Sequence, residues 1–331
     1  LMDLKIRFSG GVYIEHNGLS ILVDPYRRFD ASKYDYILIT HGHTDHFTSA
    51  VSKARNLVLT RQTFDILTSI YGLDLKGPSI VDVGDLLVLD ELSIRVLNAG
   101  HVIGSAMYVL EFNDISIGIT GDFNLEDSLV QRGADAMHDV DILIMEGTYG
   151  NEVYRFKPRN QLYEMILDKV ESELSQGNDV VFSGHPLGKG QELAALLMRY
   201  DPFLDYGVYK LNKLLLNEPM GSVMVPGADE DGPIVAIAGV QGDLDLRYRN
   251  SFKLSRPIKI IGVTGWARGD ESIQLSNHSD YSSLVKFALE SKAKAIYTVY
   301  GHAASLAQSL RRKYGLNAHL IPTNEGDIIS Y

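Results

Sequence analysis

The stretch HGHTDH, residues 41–46, sets three histidines and one aspartate within six positions. Side chains two apart in an extended segment point the same way, so His41 and His43 can grip one metal ion from one side. Asp45 and His46 lie on the turning segment beyond, placed to reach a second ion nearby. The spacing differs from the helical H-E-x-x-H pair of a zincin. A single histidine is more often a surface or core residue than a ligand, but this density of ligand types favours a metal site. The chain has no cysteine, which excludes disulfides, thiolate zinc sites and a cysteine nucleophile. Any ion must therefore be held by His, Asp and Glu, a set that suits zinc, manganese or iron.

Further candidates recur in one form: strand, then Gly, then a ligand type. VLNAGH ends on His101 and IGITGD ends on Asp122. A Gly there permits a tight bend and sets the next side chain at the strand's carboxyl end. Alone, Asp122 would read as a turn residue; after a buried strand, in a chain with an unclaimed His cluster, it reads as a ligand.

Such residues need a frame of strands. Up to about residue 150 short apolar runs alternate with Gly or polar turns: LSILVD, YDYILIT, NLVLT, LSIRVLNAG, SAMYVLEF, ISIGIT and DILIME. From 159 to 200 the period changes, and NQLYEMILDKVESELSQG and GKGQELAALLMRY read as helices. SSLVKFALESKA and ASLAQSLRRKYG read as amphipathic helices flanking the strand AIYTVY. Strands first, a mixed stretch, then strand and helix again define a layered α/β fold. With 331 residues, 45% of them hydrophobic, the chain can bury the core of two domains or of one large domain with an insertion. A net charge of −11 argues against a general nucleic-acid coat protein, whose binding is driven by Lys and Arg. The stretch 151–260 is close to neutral, so a local basic groove is allowed. The start, LMDLKIRFSGG, lacks the basic segment and apolar core of a secretory signal, and no apolar run is long enough to cross a bilayer. A soluble cytoplasmic protein with no membrane partner is expected, and Leu1 ahead of Met2 is left out of the fold reading.

His41, His43, Asp45, His46, His101 and Asp122 together resemble the metal motifs of the metallo-β-lactamase superfamily, and Asp24 in ILVDP looks like its first, supporting aspartate. LIMEGTYG with Glu146, PLGKGQELAALL, and LSNHSDYSSL with His278 are similar to motifs of the β-CASP branch, whose members are nucleases. The resemblance covers nearly the whole chain. It implies an α/β fold, a metallo-β-lactamase αβ/βα sandwich at 1–150 and 256–331, with an inserted α/β β-CASP domain at 151–255 and substrate in the cleft between them. It further implies two zinc ions, or manganese in their place. His41, His43 and His101 would hold the first, Asp45 and His46 the second, with Asp122 bridging. Two metals about 3.5–4 Å apart can share a hydroxide that attacks phosphorus in line. His278, its ring oriented by Glu146, is then the acid that protonates the leaving oxygen. Asp24, Asp45, Glu146 and His278 make up the catalytic set that the resemblance implies.

The pattern departs from the family at one place. RNA-cleaving members complete the second metal site with a His, and Artemis-like DNA nucleases carry an apolar residue; YTVYGH puts Tyr300 there. A phenol with a pKa of about 10 is a poor zinc ligand, so a weak or absent second ion is expected. His302 follows Gly301 in the strand–Gly–ligand form and is a further candidate for that place. His185 in VVFSGH is expected near the cleft without being a ligand.

Arg155, Lys157, Arg159, Lys189, Arg247 and Arg249 are candidates for phosphate contact, with Tyr154 or Tyr248 for base stacking. Lys189 leads them because it opens a predicted helix, where amides and an ammonium can meet an anion.

The function expected is a zinc-dependent nuclease hydrolysing phosphodiester bonds of single-stranded DNA or RNA. YGNEVYRF and TGWARGDE…LSNHSDY look more like small ligase-associated DNA exonucleases than polyadenylation-type factors. DNA-end trimming therefore stands ahead of RNA 3′-end processing of the archaeal kind. A homodimer, or a heteromer with a related nuclease, ligase or helicase, fits this reading. Two alternatives stay open. A catalytically silent scaffold is favoured by Tyr300 and opposed by the intact cluster; a small-molecule lactonase or thioesterase is opposed by Glu146, His278 and the insert.

Overall fold

The computed structural model of the protein describes residues 4–223, 232–239 and 256–323. The chain divides into two units. The first comprises Leu1–Leu125, Gly133–Arg155 and His278–Tyr331, the second Glu126–Arg132 and Phe156–Asn277.

The first unit opens with β1 (Leu4–Phe8), β2 (Val12–His16) and β3 (Leu19–Val23), paired antiparallel. Asn17 and Gly18, at φ 49° and 85°, close the second turn in the left-handed conformation that two-residue hairpins need. β4 (Tyr36–Leu38), β5 (Leu57–Thr60) and β6 (Ser79–Val81) add in parallel, with α1 (Arg61–Ser69) as the crossover between β5 and β6. These six strands form one sheet in sequence order. β7 (Leu86–Val88), β8 (Ser93–Asn98), β9 (Ala106–Glu111) and β10 (Ser116–Ile119) then make an antiparallel meander, and β11 (Ile142–Glu146) runs parallel to β10.

The second unit is built on a wholly parallel sheet. It contains α2 (Arg159–Ser175), β12 (Asp179–Gly184), α3 (Lys189–Leu197), β13 (Phe203–Leu204), α4 (Tyr206–Leu216), β14 (Ser222–Val223), β15 (Val235–Gly239), β16 (Ile258–Val263) and β17 (Ser272–Ile273). The order is β14-β13-β15-β12-β16-β17. Phe182, Leu193 and Val208 join its core, where each parallel connection through α3 and α4 lays a helix on the sheet. The boundary expected at 255/256 needs correction: β16 pairs with β12 from Asp179↔Ile258 to Ser183↔Gly262, and only at His278 does the chain re-enter the first unit. An apolar run such as IKIIGV is compatible with a strand of either unit, and pairing register decides which.

Back in the first unit, α5 (Tyr281–Ser291), β18 (Ala295–Val299), α6 (Ala303–Tyr314) and β19 (Ala318–Leu320) complete a second sheet, β19-β18-β11-β10-β9-β8-β7. β11 explains how this sheet is covered. Ile142 and Ile144 belong to the core shared with Ile14, Ile21 and Val23 of the first sheet, whereas Leu143 and Met145 belong to the core shared with Leu284, Phe287 and Leu310 of α5 and α6. Side chains alternate along a strand, so a strand buried on both faces reads as an unbroken apolar run, as DILIME does. On the far side α1 packs on β5 and β6. Helix, sheet, sheet and helix make the αβ/βα sandwich. Among the described residues no helix is long and apolar enough to cross a membrane.

Candidate metal centre

The candidate ligands of the first unit stand where strands end. Asp24 follows β3, His41–His46 follows β4, His101 follows β8, Asp122 follows β10, Glu146 ends β11 and Tyr300 follows β18. Close packing of these ends depends on glycine. At Gly121, φ 53°, a Cβ would stand 2.6 Å from Thr40 Oγ1, and at Gly100, φ 65°, one would stand 2.5 Å from the Asn124 carbonyl oxygen. Both sites forbid a side chain and favour the left-handed backbone that Gly tolerates.

His41, His43, His101 and Asp122 converge, each buried, with one donor atom apiece lying within 4.8 Å of the others. His43 Nδ1 is 2.9 Å from His41 Nε2 and 3.1 Å from His101 Nε2, and Asp122 Oδ2 is 3.7 Å from both of those Nε2 atoms. The edge of a zinc tetrahedron with bonds of about 2.0–2.1 Å is about 3.3 Å. The donor set and its spacing therefore fit a divalent ion such as zinc. Burial, then the neighbouring His46, His43 and His101, holds the His41 ring pKa well below the usual range, so the imidazole is neutral and able to ligate.

Support comes from Asp24 and Thr40. Asp24, buried at φ 51°, accepts the Thr40 amide at 2.8 Å and the Thr40 hydroxyl at 2.6 Å. With its proton given to Asp24, Thr40 Oγ1 is free to accept from His41 Nδ1 at 3.0 Å, which leaves the Nε2 lone pair facing the cluster. Sequence reading missed Thr40; its only signal is a polar residue closing an apolar strand run. His46 lies between two carboxylates, Nδ1 2.9 Å from Asp24 and Nε2 3.2 Å from Asp122. Burial works against its charge, but Asp122 and Asp24 prevail and hold the ring pKa well above the usual value. Burial likewise opposes ionisation of Asp122, and His46, His278 and His101 outweigh it, keeping that carboxyl well below its ordinary range.

His278 and Glu146 form the second feature. Both Glu146 oxygens lie near His278 Nδ1, at 3.0 and 3.1 Å, and Glu146 also accepts the Phe123 amide at 2.8 Å. That fixes His278 Nε2 toward Asp122, 3.9 Å from Oδ2.

Other expected residues are placed differently. Asp45 is exposed and belongs to none of the donor groups around the cluster. His302 caps α6, its ring 5.2 Å from that of Tyr154, and it too joins no donor group. Tyr154 is buried between Tyr149 and His302, which takes it out of base stacking. Arg155 is exposed; it donates to Ser282 Oγ at 2.6 Å and lies over the Tyr281 ring. Lys157 is exposed, as is His185, whose Nδ1 is 3.1 Å from the Leu187 carbonyl oxygen. Arg159 is a correction: it is buried, gripping Glu192 through Nε at 2.6 Å and a second nitrogen at 3.0 Å, so it is closed to a phosphate. Lys189 opens α3, half-buried, its pKa lowered to about 8 by burial. Arg247, Tyr248 and Arg249 lie outside the described residues.

A four-layer sandwich carrying a buried His/Asp cluster at its strand ends has the layout of the metallo-β-lactamase fold, with a cluster that could hold a metal ion. Comparison with known proteins agrees: residues 9–157 match the Beta-lactamase superfamily domain. A protein of Opitutus terrae named "Probable DNA ligase" is 26% identical over 97% of this chain and 31% of its own length. The endoribonuclease YSH1 of Yarrowia lipolytica is 29% identical over 59% of this chain and 27% of its own. An RNase J-like protein of Methanocaldococcus jannaschii is 25% identical over 52% of this chain and 45% of its own. The chain thus spans less than half the length of these relatives. A crystal structure of a protein of unknown function from Enterococcus faecalis V583 shares the fold, with a TM-score of 0.68, 14% identity, and coverage of 98% of this chain and 99% of that one.

Proposed function

We propose that the protein is a zinc-dependent nuclease that hydrolyses phosphodiester bonds of single-stranded nucleic acid. The observation that carries this reading is the convergence of His41, His43, His101 and Asp122 beside a Glu146–His278 pair. The first four would hold the ion, zinc by donor type, with manganese also able to accept them. A bound divalent ion supplies a Lewis acid and lowers the pKa of water. Glu146 holds His278 Nδ1, leaving Nε2 to carry a proton to the leaving oxygen. Asp24 and Thr40 orient His46 and His41. Lys189, at the start of α3, and exposed Arg155 are the phosphate contacts that this reading retains.

DNA ends are the favoured substrate, because the relative aligned along nearly the whole chain bears the name of a DNA ligase. RNA processing is the second reading, supported by relatives named as ribonucleases that align over about half or more of it.

The test is cleavage of matched, end-labelled single-stranded DNA and RNA by zinc-loaded protein, resolved on a sequencing gel beside Asp122→Ala. Wild-type cleavage that disappears in the variant is expected, with the preferred strand and the product ladder choosing between the substrates. Equal cleavage by the variant would remove the metal mechanism, and no cleavage of either strand by folded, loaded protein would leave the scaffold reading.

A further inference from the structure

Tyr300 is held at φ 65°. A bulky residue in the left-handed region is an outlier, and strain of that kind persists where the surrounding structure imposes it, often at functional sites. The imposition is visible next door: Gly301, at φ 49°, is pressed so close that a Cβ would stand 2.4 Å from Thr148 Cα. The Tyr300 ring meets Phe8 edge-on at 5.3 Å and lies 5.5 Å from the His46 ring. Burial, then the neighbouring Asp24, Asp122, Asp45 and Tyr26, holds its phenol pKa well above the usual value, so the hydroxyl keeps its proton.

The donors on this side of the cluster are few. His46 has one ring nitrogen on Asp24 and the other beside Asp122. Asp24 directs its two oxygens to Thr40 and His46. Asp45 faces solvent, and His302 packs beside Tyr154. Four buried ligands thus converge on the His41 side, whereas the other two donor groups among the described residues, Asp24–His41–His46 and Asp122–Glu146–His278, each borrow one of those four and have two donors of their own. A catalytic zinc takes at least three ligands from the protein, and two donors of their own leave each of these groups short of a second ion.

We propose that the protein holds one metal ion per chain, on His41, His43, His101 and Asp122, and that the Tyr300 hydroxyl takes the place of a second ion as a hydrogen-bond donor to the substrate phosphate. This rests on the nuclease reading and departs from the two-ion arrangement that the family resemblance implies. A phenol donates one proton and is neutral near pH 7, so it can stabilise an anionic oxygen that a second cation would otherwise bind. A preorganised donor of this kind is worth roughly 10²–10³ in kcat.

The experiment is metal analysis of zinc-dialysed wild type, Tyr300→Phe and Tyr300→His by inductively coupled plasma mass spectrometry, with circular dichroism to establish folding and single-strand cleavage assayed in parallel. His is among the non-glycine residues enriched at positive φ, so the second variant adds a ligand without adding strain. One zinc per chain is expected for wild type and Tyr300→Phe, with kcat of Tyr300→Phe about 100-fold lower, and a second zinc for Tyr300→His. Two zinc ions in wild type would overturn the proposal. So would unchanged kcat in Tyr300→Phe, or a Tyr300→His protein that stays at one. Wild type that retains no zinc at all would instead overturn the metal-dependent nuclease reading, whatever the variants do.

Discussion

At the scale of single residues, ligand quality is set by hydrogen bonds behind the ligands. The Thr40 hydroxyl is committed as donor to Asp24 and as acceptor to His41, so it both selects the His41 tautomer and braces the aspartate. Thr40→Val keeps the shape and removes both bonds, and zinc affinity should fall about 10- to 100-fold, whereas Thr40→Ser should stay close to wild type. Competition with a chelating dye measures this, and equal affinities for the two variants would show that the hydroxyl does not matter. His278 poses a different choice, because it forms a donor group with Asp122 and Glu146 that could itself hold an ion. If it is the acid, His278→Ala should lower the cleavage rate by roughly 10²–10⁴ at unchanged zinc content. A parallel loss of zinc would make it a ligand. His41 and His43 were legible as near neighbours that alternate in direction, and His101 and Asp122 because each follows a Gly after an apolar strand run. The exposure of Asp45 was not, since it depends on how the turn after His43 closes. Thr40 was not, because a hydroxyl's partners are tertiary facts that no spacing records.

Among the elements, strands and helices followed from period, and their pairing did not. DILIME, AIYTVY and both C-terminal helices appear where the apolar pattern puts them. The place of β16 beside β12 had no local signature, and a boundary drawn from motif positions missed it. Arg159 shows the same limit, since a charged residue at a helix start looks exposed until its buried partner, Glu192, is known. Lys189 does open α3, as its sequence position predicted, and its proposed phosphate contact gains one addition. Burial lowers its pKa to about 8, so the ammonium is present below that pH and is lost above it. Single-strand affinity should therefore weaken as pH rises through about 8 in wild type, while Lys189→Met binds more weakly and without that inflection. The linkage has a second consequence. A lysine whose folded pKa is depressed lowers stability most below its folded pKa, and the penalty vanishes only above the unfolded value of about 10.4. Lys189→Met should then melt no lower than wild type at pH 7; a clear drop in melting temperature would mark Lys189 as a structural residue instead.

For the whole molecule, a net charge of −11 has to be reconciled with the polyanionic substrate proposed for it. A general positive field cannot provide the affinity, and each phosphate neutralised contributes a slope of about −0.7 in log K against log salt for single strands. On the proposed reading binding has to be local, at the ion and a few cations. On that reading the buried carboxyl groups of Asp122, Asp24 and Glu146 would oppose a phosphate until a cation offset them, so a bound ion would act as an electrostatic switch as well as a catalyst. Two measurable results follow. Titrating zinc-loaded protein with a fluorescent single strand at increasing salt should give a slope near −2, about three contacts, rather than the −5 or steeper expected of a protein that tracks a long stretch of backbone. Chelation should cost most of the remaining affinity without unfolding the chain. A steep slope that survives chelation would place the binding on a basic surface away from the metal centre, and the nuclease reading would then need a different account of how substrate reaches His278.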